Sequence, residues 1–307
     1  MVNLQTVAES LATKCKGQAW VIVTAQNDMT KVLGEMENRL NSNDYTKIQD
    51  RFKIRMNLTS AAVAEVIQKR LLAKNVEAER ELAVLYKKEA DNFKTLFDFA
   101  EGGRSYKNFQ SEKHFVDCYP FIPYQFPLFQ SAIEDLSLHD AFQGKYSSVG
   151  ERSMLGVFQH VAINVSENSE IGELATFDKM FEGIRNSLKT GIQSSILKAE
   201  NNLENPFAVR VLKVLFLVKY IKSFKSTVRN LCVLMYHNFD ENLAELTKRV
   251  EEALNILEQQ TYIQRNGDVY EFLTDEEKNI EIEIKNTDID RDDVTSELSK
   301  LFFIYNK

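Results

Sequence analysis

The sequence contains little glycine and proline, only 11 and 4 residues in a chain of 307. Both residue types interrupt helices and form turns, so long stretches without them favour helix over a sheet-rich architecture. Apolar residues make up 44% and charged residues 27% of the chain, as in a globular protein with a real core. The length predicts two or three cooperating units, mainly helical.

Cysteine is scarce as well, and no long apolar run is present. Cys15, Cys118 and Cys232 lie far apart and are odd in number, which excludes a disulfide framework or a CxxC zinc site and indicates a reducing cytoplasm. A membrane helix needs about 20 consecutive apolar residues. The nearest run, Val209 to Ile221, is interrupted by three cations, so no contact with a membrane is expected.

The motifs of a self-sufficient enzyme are also absent. No GxxxxGK[ST] can wrap a phosphate group, the four histidines form no HExxH, and no serine lies in a GxSxG setting. The net charge of −7 and the pI near 5.4 exclude a globally basic nucleic-acid-binding surface. Any DNA contact must therefore be local.

The N-terminal residues predict a helix followed by a buried strand. Apolar residues recur at helical spacing from Leu4 to Lys16, and Gly17 stands where a helix C-cap is expected. Residues Ala19 to Ala25 form a nearly continuous apolar run rich in β-branched side chains, typical of a strand covered on both faces. This order is that of an α/β domain.

Further along the chain, an edge strand and several helices are predicted. The segment Lys47 to Leu58 ends in alternating apolar and polar residues, as an edge strand does. Tyr119 to Gln130 holds three of the four prolines and predicts an extended lead into a helix. Helical spacing also occurs in Ala61 to Lys74, in Val76 to Phe99, from near Gly150, and in Phe207 to Phe224 after Asn205 and Pro206.

The last third predicts a helix and then a β-hairpin. Leu243 to Gln260 has helical spacing, and Tyr262 to Leu273 carries Asn266 and Gly267 between two short strands. Helices followed by such a hairpin are typical of a winged-helix domain. The alternation in Ile280 to Ile284 predicts a further strand in an acidic segment.

Two patterns resemble parts of the second half of an AAA+ ATPase module. WVIVTAQND, Trp20 to Asp28, is similar to the sensor-1 strand, which implies that Thr24 and Gln26 lie beside the γ-phosphate. GERSML, Gly150 to Leu155, is similar to the sensor-2 motif, which implies that Arg152 reaches the nucleotide phosphates. A buried strand with a polar loop, and a helix start with a solvated arginine, remain alternatives.

A third pattern, QDRFKIRMNLTS from Gln49 to Ser60, lies between these two and resembles the arginine-finger region of the same module. The resemblance implies that Arg51, or alternatively Arg55, projects into the neighbouring subunit's site and offsets charge on the transferring phosphoryl group. Surface arginines on an edge strand remain the alternative.

Longer phrases resemble one family more narrowly. LQTVAESLATKCKGQAWVIVTAQ, YTKIQDRFKIRMNLTS with VIQKRLLAKN, and YPFIPYQFPLFQ with GERSML are similar to the BrxC (also called PglY) P-loop ATPases of bacteriophage-exclusion (BREX) defence systems. The resemblance covers most of the chain from about Leu4 into the helical region after Arg152.

Membership of that family implies a longer parent protein with its Walker A and Walker B elements upstream. ATP and Mg²⁺ would bind the parent, none is expected on this chain, and the chain alone is expected to be inactive as an ATPase. Implied partners are other BREX proteins and further copies of the parent.

One local set of cations could contact DNA phosphates. Lys219, Lys222, Lys225 and Arg229 could lie along one side of a helical region. The predicted recognition helix, Leu243 to Gln260, mixes its cations with several glutamates, which disfavours direct base reading. A DNA-binding regulator and a helical protein-interaction module therefore remain alternative functions.

The predicted fold class is mainly α, with a partial AAA+-like α/β remnant, a helical lid and a winged-helix domain with a small β-hairpin. The predicted units are the remnant at 1–60, the helical lid with an insertion at 61–170, a helical linker with the winged helix at 171–285, and a C-terminal helix at 286–307.

Overall fold

The computed structural model describes residues 2–16, 18–22, 60–100, 106–143, 151–286 and 294–300. The described chain is mainly helical, which confirms the coarse prediction, and its single sheet has two antiparallel strands. The first seven helices are α1 Val2–Cys15, α2 Ser60–Val66 continued by a π-helical turn Ile67–Leu71, α3 Val76–Leu96, α4 Glu112–Cys118, α5 Gln125–Leu138, α6 Glu151–Asn168, and α7 Lys179–Ile184 with a 3₁₀ turn Arg185–Ser187. The remaining elements are α8 Thr190–Asn202, α9 Pro206–Val218, α10 Val228–Met235, α11 Leu243–Gln259, β1 Ile263–Asn266, β2 Val269–Phe272, α12 Asp275–Asn286 and α13 at 294–300.

The predicted N-terminal helix is confirmed, but the part of the following strand that the structure describes is not a strand. Residues 18–22 are irregular, and Trp20 and Ile22 are 92% and 87% exposed. An apolar run forms a buried strand only where neighbouring strands satisfy its backbone groups, and residues 19–22 pair with none of the described strands. The predicted strand residues 23–25 and the predicted edge strand in Lys47 to Leu58 lie outside the described residues.

Helix α9 is the centre of the core. It contacts α5, α7, α8, α10, α11 and β2, and nine of its residues are buried. Its start is the predicted one: the Asn205 side chain accepts hydrogen bonds from the backbone N–H groups of Phe207 and Ala208 at 2.9 and 3.3 Å, with Pro206 in the first turn. The helix ends at Val218 rather than at the predicted Phe224, because the chain turns there and Ile221 N–H donates to the Val218 carbonyl at 3.1 Å.

Aromatic side chains join α3 and α4 to the last third of the chain. The Phe93 ring lies 5.4 Å from both Phe115 and Phe239, and Phe97 meets Tyr236 edge to face at 5.7 Å. Such pairs are typically worth about 0.5 to 1.5 kcal/mol each beyond their buried area. One continuous cluster of buried side chains consequently extends from Val63 to Phe272.

The predicted strand Ile280 to Ile284 is wrong, because these residues lie in α12. A capping box begins this helix: the Thr274 N–H donates to the Glu277 carboxylate at 2.7 Å, and the Glu277 N–H donates to the Thr274 hydroxyl at 3.3 Å. These two bonds satisfy backbone donors that a strand would leave for a neighbouring strand. The local helix start therefore overrides the alternating sequence.

Candidate functional site

The region with the clearest functional geometry is residues 206–273, which we call the helix–hairpin unit. It consists of α9, α10 and α11 followed by the hairpin of β1 and β2. Helices α10 and α11 each begin at a capping side chain, Thr227 accepting from the Asn230 N–H and Asn242 accepting from the Ala244 N–H. The predicted helix from Leu243 and the predicted hairpin are both confirmed.

The hairpin turns at Gly267 and packs one face on the helices. Gly267 has φ +62°, a value that residues with a side chain rarely adopt, and the register pairs Asn266 with Val269. Tyr270 and Phe272 of the second strand are buried. A third backbone segment joins this strand, because the Tyr270 N–H donates to the carbonyl of Ser226 at 3.1 Å.

Lys219, the first of the four predicted DNA-contacting cations, is committed to contacts within the protein. Its side chain is only 9% exposed. The ammonium donates to the Phe272 carbonyl at 2.6 Å and to the Glu277 carboxylate at 2.5 Å. Lys219 thus fastens the end of α9 to the end of the hairpin and the start of α12.

Arg229, the last of these cations, is also used internally. Its guanidinium donates to the Thr95 carbonyl. The neighbouring Asn230 side chain pairs with both backbone groups of Ala100 at 2.9 Å. These contacts hold the end of α3 and the segment after it against α10.

Lys222 and Lys225 are exposed. The four cations therefore do not form one uniform surface: the outer two hold the fold together, and the middle two face solvent. The structure does not test whether DNA contacts them, and that role stays a prediction.

The outer face of α11 has few cations available to a ligand. The Arg249 guanidinium donates to the Glu241 carboxylate at 3.0 Å and lies 4.3 Å from the Phe207 ring centroid. The Lys248 ammonium lies 3.9 Å from the Glu252 carboxylate. Three further glutamates lie on this helix, so its net charge is negative. Base edges are read by side-chain donors that face a groove, and phosphates repel carboxylates, so the charges of this helix disfavour direct base reading.

The residues predicted for nucleotide contact fall mostly outside the described residues. Thr24, Gln26, Arg51 and Arg55 belong to the segment at 23–59 that the structure does not describe. Arg152 is the second residue of α6, so its backbone does lie at the start of a helix, as the sensor-2 resemblance implies. Its side chain lies outside the described part of the chain. The contact of these residues with a phosphate stays a prediction.

An ionic cluster between α7, α8 and α9 was missed by the sequence analysis. Glu200 accepts from Arg185 at 3.0 Å and from Lys213 at 2.7 Å, and the Arg185 hydrogen bond is the main cause that lowers the pKa of Glu200 to about 2. Arg210 bonds Asp178 nearby at 2.9 Å. The available signal was the three-residue spacing of Arg210 and Lys213 in an otherwise apolar helix, which places both on one face.

Lys74, which is partly buried, and the buried Cys118 are two further titratable groups that the sequence did not indicate. Burial lowers the pKa of Lys74 to about 8, while its ammonium donates to the Tyr119 carbonyl at 2.7 Å. Burial also raises the pKa of the Cys118 thiol to about 12, which leaves it protonated and unreactive at neutral pH. We interpret both groups as structural, because Lys74 satisfies the carbonyl that follows α4.

Within the described residues, no group of three or more His, Cys, Asp or Glu side chains could hold a metal ion. None of the described helices has the length and apolar character needed to cross a bilayer. All three cysteines are free thiols.

No protein-family model matches the chain, and no solved structure matches it either.

Proposed function

We propose that this chain is a structural and regulatory portion of a BrxC-like ATPase of bacteriophage-exclusion defence, with the helix–hairpin unit as a winged-helix docking surface. The family rests on the sequence phrases quoted above. One observation carries the docking role: within the unit and its flanks, Lys219, Arg229 and Arg249 are bonded to the protein itself.

The order and pairing of elements support the winged-helix assignment. Three helices are followed by a two-stranded hairpin, which is the order of such domains. The bond from Tyr270 to Ser226 adds a third backbone segment to the hairpin, between the first and second helices of the unit.

The ATPase role assigned to the parent is tested in the full-length protein. An arginine that offsets charge on a transferring phosphoryl group contributes about 10³ to 10⁵ in kcat. Arg51→Ala and Arg152→Ala should therefore each lower ATP turnover at least tenfold, while Arg80→Ala, at an exposed site on α3, should not. Turnover is measured by phosphate release at saturating ATP.

The same assay on the isolated chain should show no turnover, because the chain has no GxxxxGK[ST]. Robust hydrolysis by the isolated chain, or unchanged turnover in both arginine variants, would overturn the proposed role.

A second candidate function is DNA binding, which the exposure of Lys222 and Lys225 favours. Gel-shift titrations at several salt concentrations distinguish it from docking, since phosphate contacts make affinity fall steeply with salt. If the chain binds DNA through these lysines, replacing either one with alanine should make the slope of log affinity against log salt concentration shallower by about one. Absence of salt-sensitive binding removes this candidate.

A further inference from the structure

Helix α12 is anchored to the protein near its start. Asp275 is bonded by Ser195 and lies 3.6 Å from the Lys198 ammonium. The Glu277 carboxylate accepts a hydrogen bond from the Lys219 ammonium, and the Lys278 ammonium lies 3.8 Å from the Tyr262 ring centroid. These contacts fix the position and direction of the helix in its first four residues.

Beyond that anchor, α12 exposes isoleucine. Ile280, Ile282 and Ile284 are 58%, 38% and 61% exposed. Branching at Cβ makes isoleucine a poorer helix former than alanine or leucine, and its exposure to water gains nothing for the isolated chain. Most exposed apolar residues of the described structure are scattered singly, as at Val84 and Ile171. In α12, by contrast, Ile280 and Ile284 lie one turn apart on one side of the helix, while Ile282 lies on the other side.

The spacing of these residues defines one outward face. Glu276, Ile280, Glu283 and Ile284 are separated by four, three and one residues, so they lie on the same side of the helix. We call these four residues the α12 face. It presents two isoleucines one turn apart with carboxylates beside them, on a helix that has five acidic and two basic residues.

We propose that the α12 face binds an amphipathic helix of a partner protein, in which lysine or arginine side chains flank an apolar stripe. Two helices that pack side by side bury their apolar stripes, and opposite charges along the edges fix their orientation. A second copy of α12 would bring the same excess of carboxylates, and DNA or an anionic membrane would bring like charge. Charge therefore favours the basic helix as occupant. The proposal does not depend on the ATPase family.

Methyl NMR with two designed peptides tests the proposal. One peptide is a helix former with a leucine stripe flanked by lysines, and the other has glutamate in place of every lysine. In the chain labelled at isoleucine methyl groups, the lysine peptide should shift Ile280 and Ile284 and leave Ile171 unchanged. Its affinity should fall at least tenfold between about 50 and about 500 mM salt. The glutamate peptide should cause no shift.

Variants of the chain make the test specific. The double variant Ile280→Ser with Ile284→Ser should bind the lysine peptide at least tenfold more weakly. Ile171→Ser is the matched control at an equally exposed isoleucine. Glu276→Lys with Glu283→Lys should reverse the preference between the two peptides. Far-UV circular dichroism verifies that each variant remains folded.

Three outcomes would overturn the proposal. The first is equal binding of the two peptides, and the second is an unchanged affinity in the double serine variant. The third is concentration-dependent shifts at Ile280 and Ile284 without peptide, which would identify a second copy of the chain as the occupant. None of these results depends on whether the parent protein hydrolyses ATP, so the two proposals can fail separately.

Discussion

Helices α9 and α12 are both rich in β-branched residues and both begin at a polar capping side chain, yet they have opposite environments. Nine of the 13 residues of α9 are buried, whereas all three isoleucines of α12 are exposed. Caps thus determine where these helices start, and the surrounding elements determine whether their apolar residues become core. Comparing the two helices therefore distinguishes what the local sequence determines, the start of a helix, from what tertiary packing determines, the burial of its apolar side chains.

Their charged residues differ in the same way. In α9, Arg210 and Lys213 reach acidic partners on α7, α8 and the residue before α7, so an apolar helix carries cations without leaving them unpaired in the core. In α12, Asp275, Glu277 and Lys278 of the first turn anchor the helix to other elements. The comparison predicts that changes in α9 act on the whole fold and changes in α12 act locally.

The largest effect is expected from a cavity in α9. Leu212 is fully buried, and Leu212→Ala removes apolar contacts and leaves a void, which costs about 2 to 5 kcal/mol in the free energy of unfolding. Ile284→Ala in α12 should cost less than about 0.5 kcal/mol, as is usual at exposed positions. Urea unfolding midpoints of the two variants measure the difference. Equal losses would show that α12 belongs to the same cooperative core.

A smaller effect is expected from acid acting on the α9 cluster. The pKa of Glu200 is lowered to about 2 from an ordinary value of 4.5, chiefly by the hydrogen bond from Arg185. A carboxylate with a lowered folded-state pKa stabilises the fold above its unfolded pKa, and this stability is lost as pH falls through the folded pKa. The full shift corresponds to about 3 kcal/mol. Because Glu200 is only partly buried and solvent screens its ion pairs, we expect it to contribute on the order of 2 kcal/mol at neutral pH, lost between about pH 4.5 and pH 2.

Comparison with a glutamine variant isolates this contribution. Urea unfolding of the unmodified chain and of Glu200→Gln should differ at neutral pH and converge as the pH approaches 2. Glu204→Gln, at an exposed position just beyond the end of α8, is the matched control and should leave stability nearly unchanged at every pH. A constant difference between the chain and Glu200→Gln across this range would contradict the assignment.

What the sequence predicts well in this protein is local. Asn205 followed by Pro206 marks the start of α9, and Asn266 with Gly267 marks the hairpin turn, because both signals act through the backbone of adjacent residues. The strand predicted at Ile280 to Ile284 failed where two local signals compete. The alternation favours a strand, but the capping box of Thr274 and Glu277 begins a helix, and the segment pairs with neither of the two described strands.

The destinations of charged side chains could not be predicted, because they depend on residues distant in sequence. Lys219 reaches Phe272 and Glu277, and Arg229 reaches Thr95 more than a hundred residues earlier. In sequence, Lys219, Lys222, Lys225 and Arg229 look equivalent. The tertiary structure distinguishes Lys219 and Arg229, which bond distant parts of the chain, from Lys222 and Lys225, which are exposed.

The smallest expected effect, that of removing a helix cap, distinguishes α9 from α12 most directly. Asn205→Ala and Thr274→Ala each remove a capping side chain, a change that costs about 1 kcal/mol. In α9 the loss should appear in global unfolding, because the helix is the centre of the core. In α12 the loss should appear as faster amide hydrogen exchange from Glu277 to Ile280, with little change in the urea midpoint.

Hydrogen exchange followed by NMR, together with urea unfolding, distinguishes these two responses. Asn255→Ala, at an exposed position inside α11, is the control for changing a polar residue that caps no helix. If Thr274→Ala lowers the global stability as much as Asn205→Ala does, α12 is part of the cooperative core, and its anchored first turn couples it to α9 through Lys219. If it does not, α12 is a semi-independent arm, whose exposed isoleucines can be covered by a partner without disturbing the core beneath.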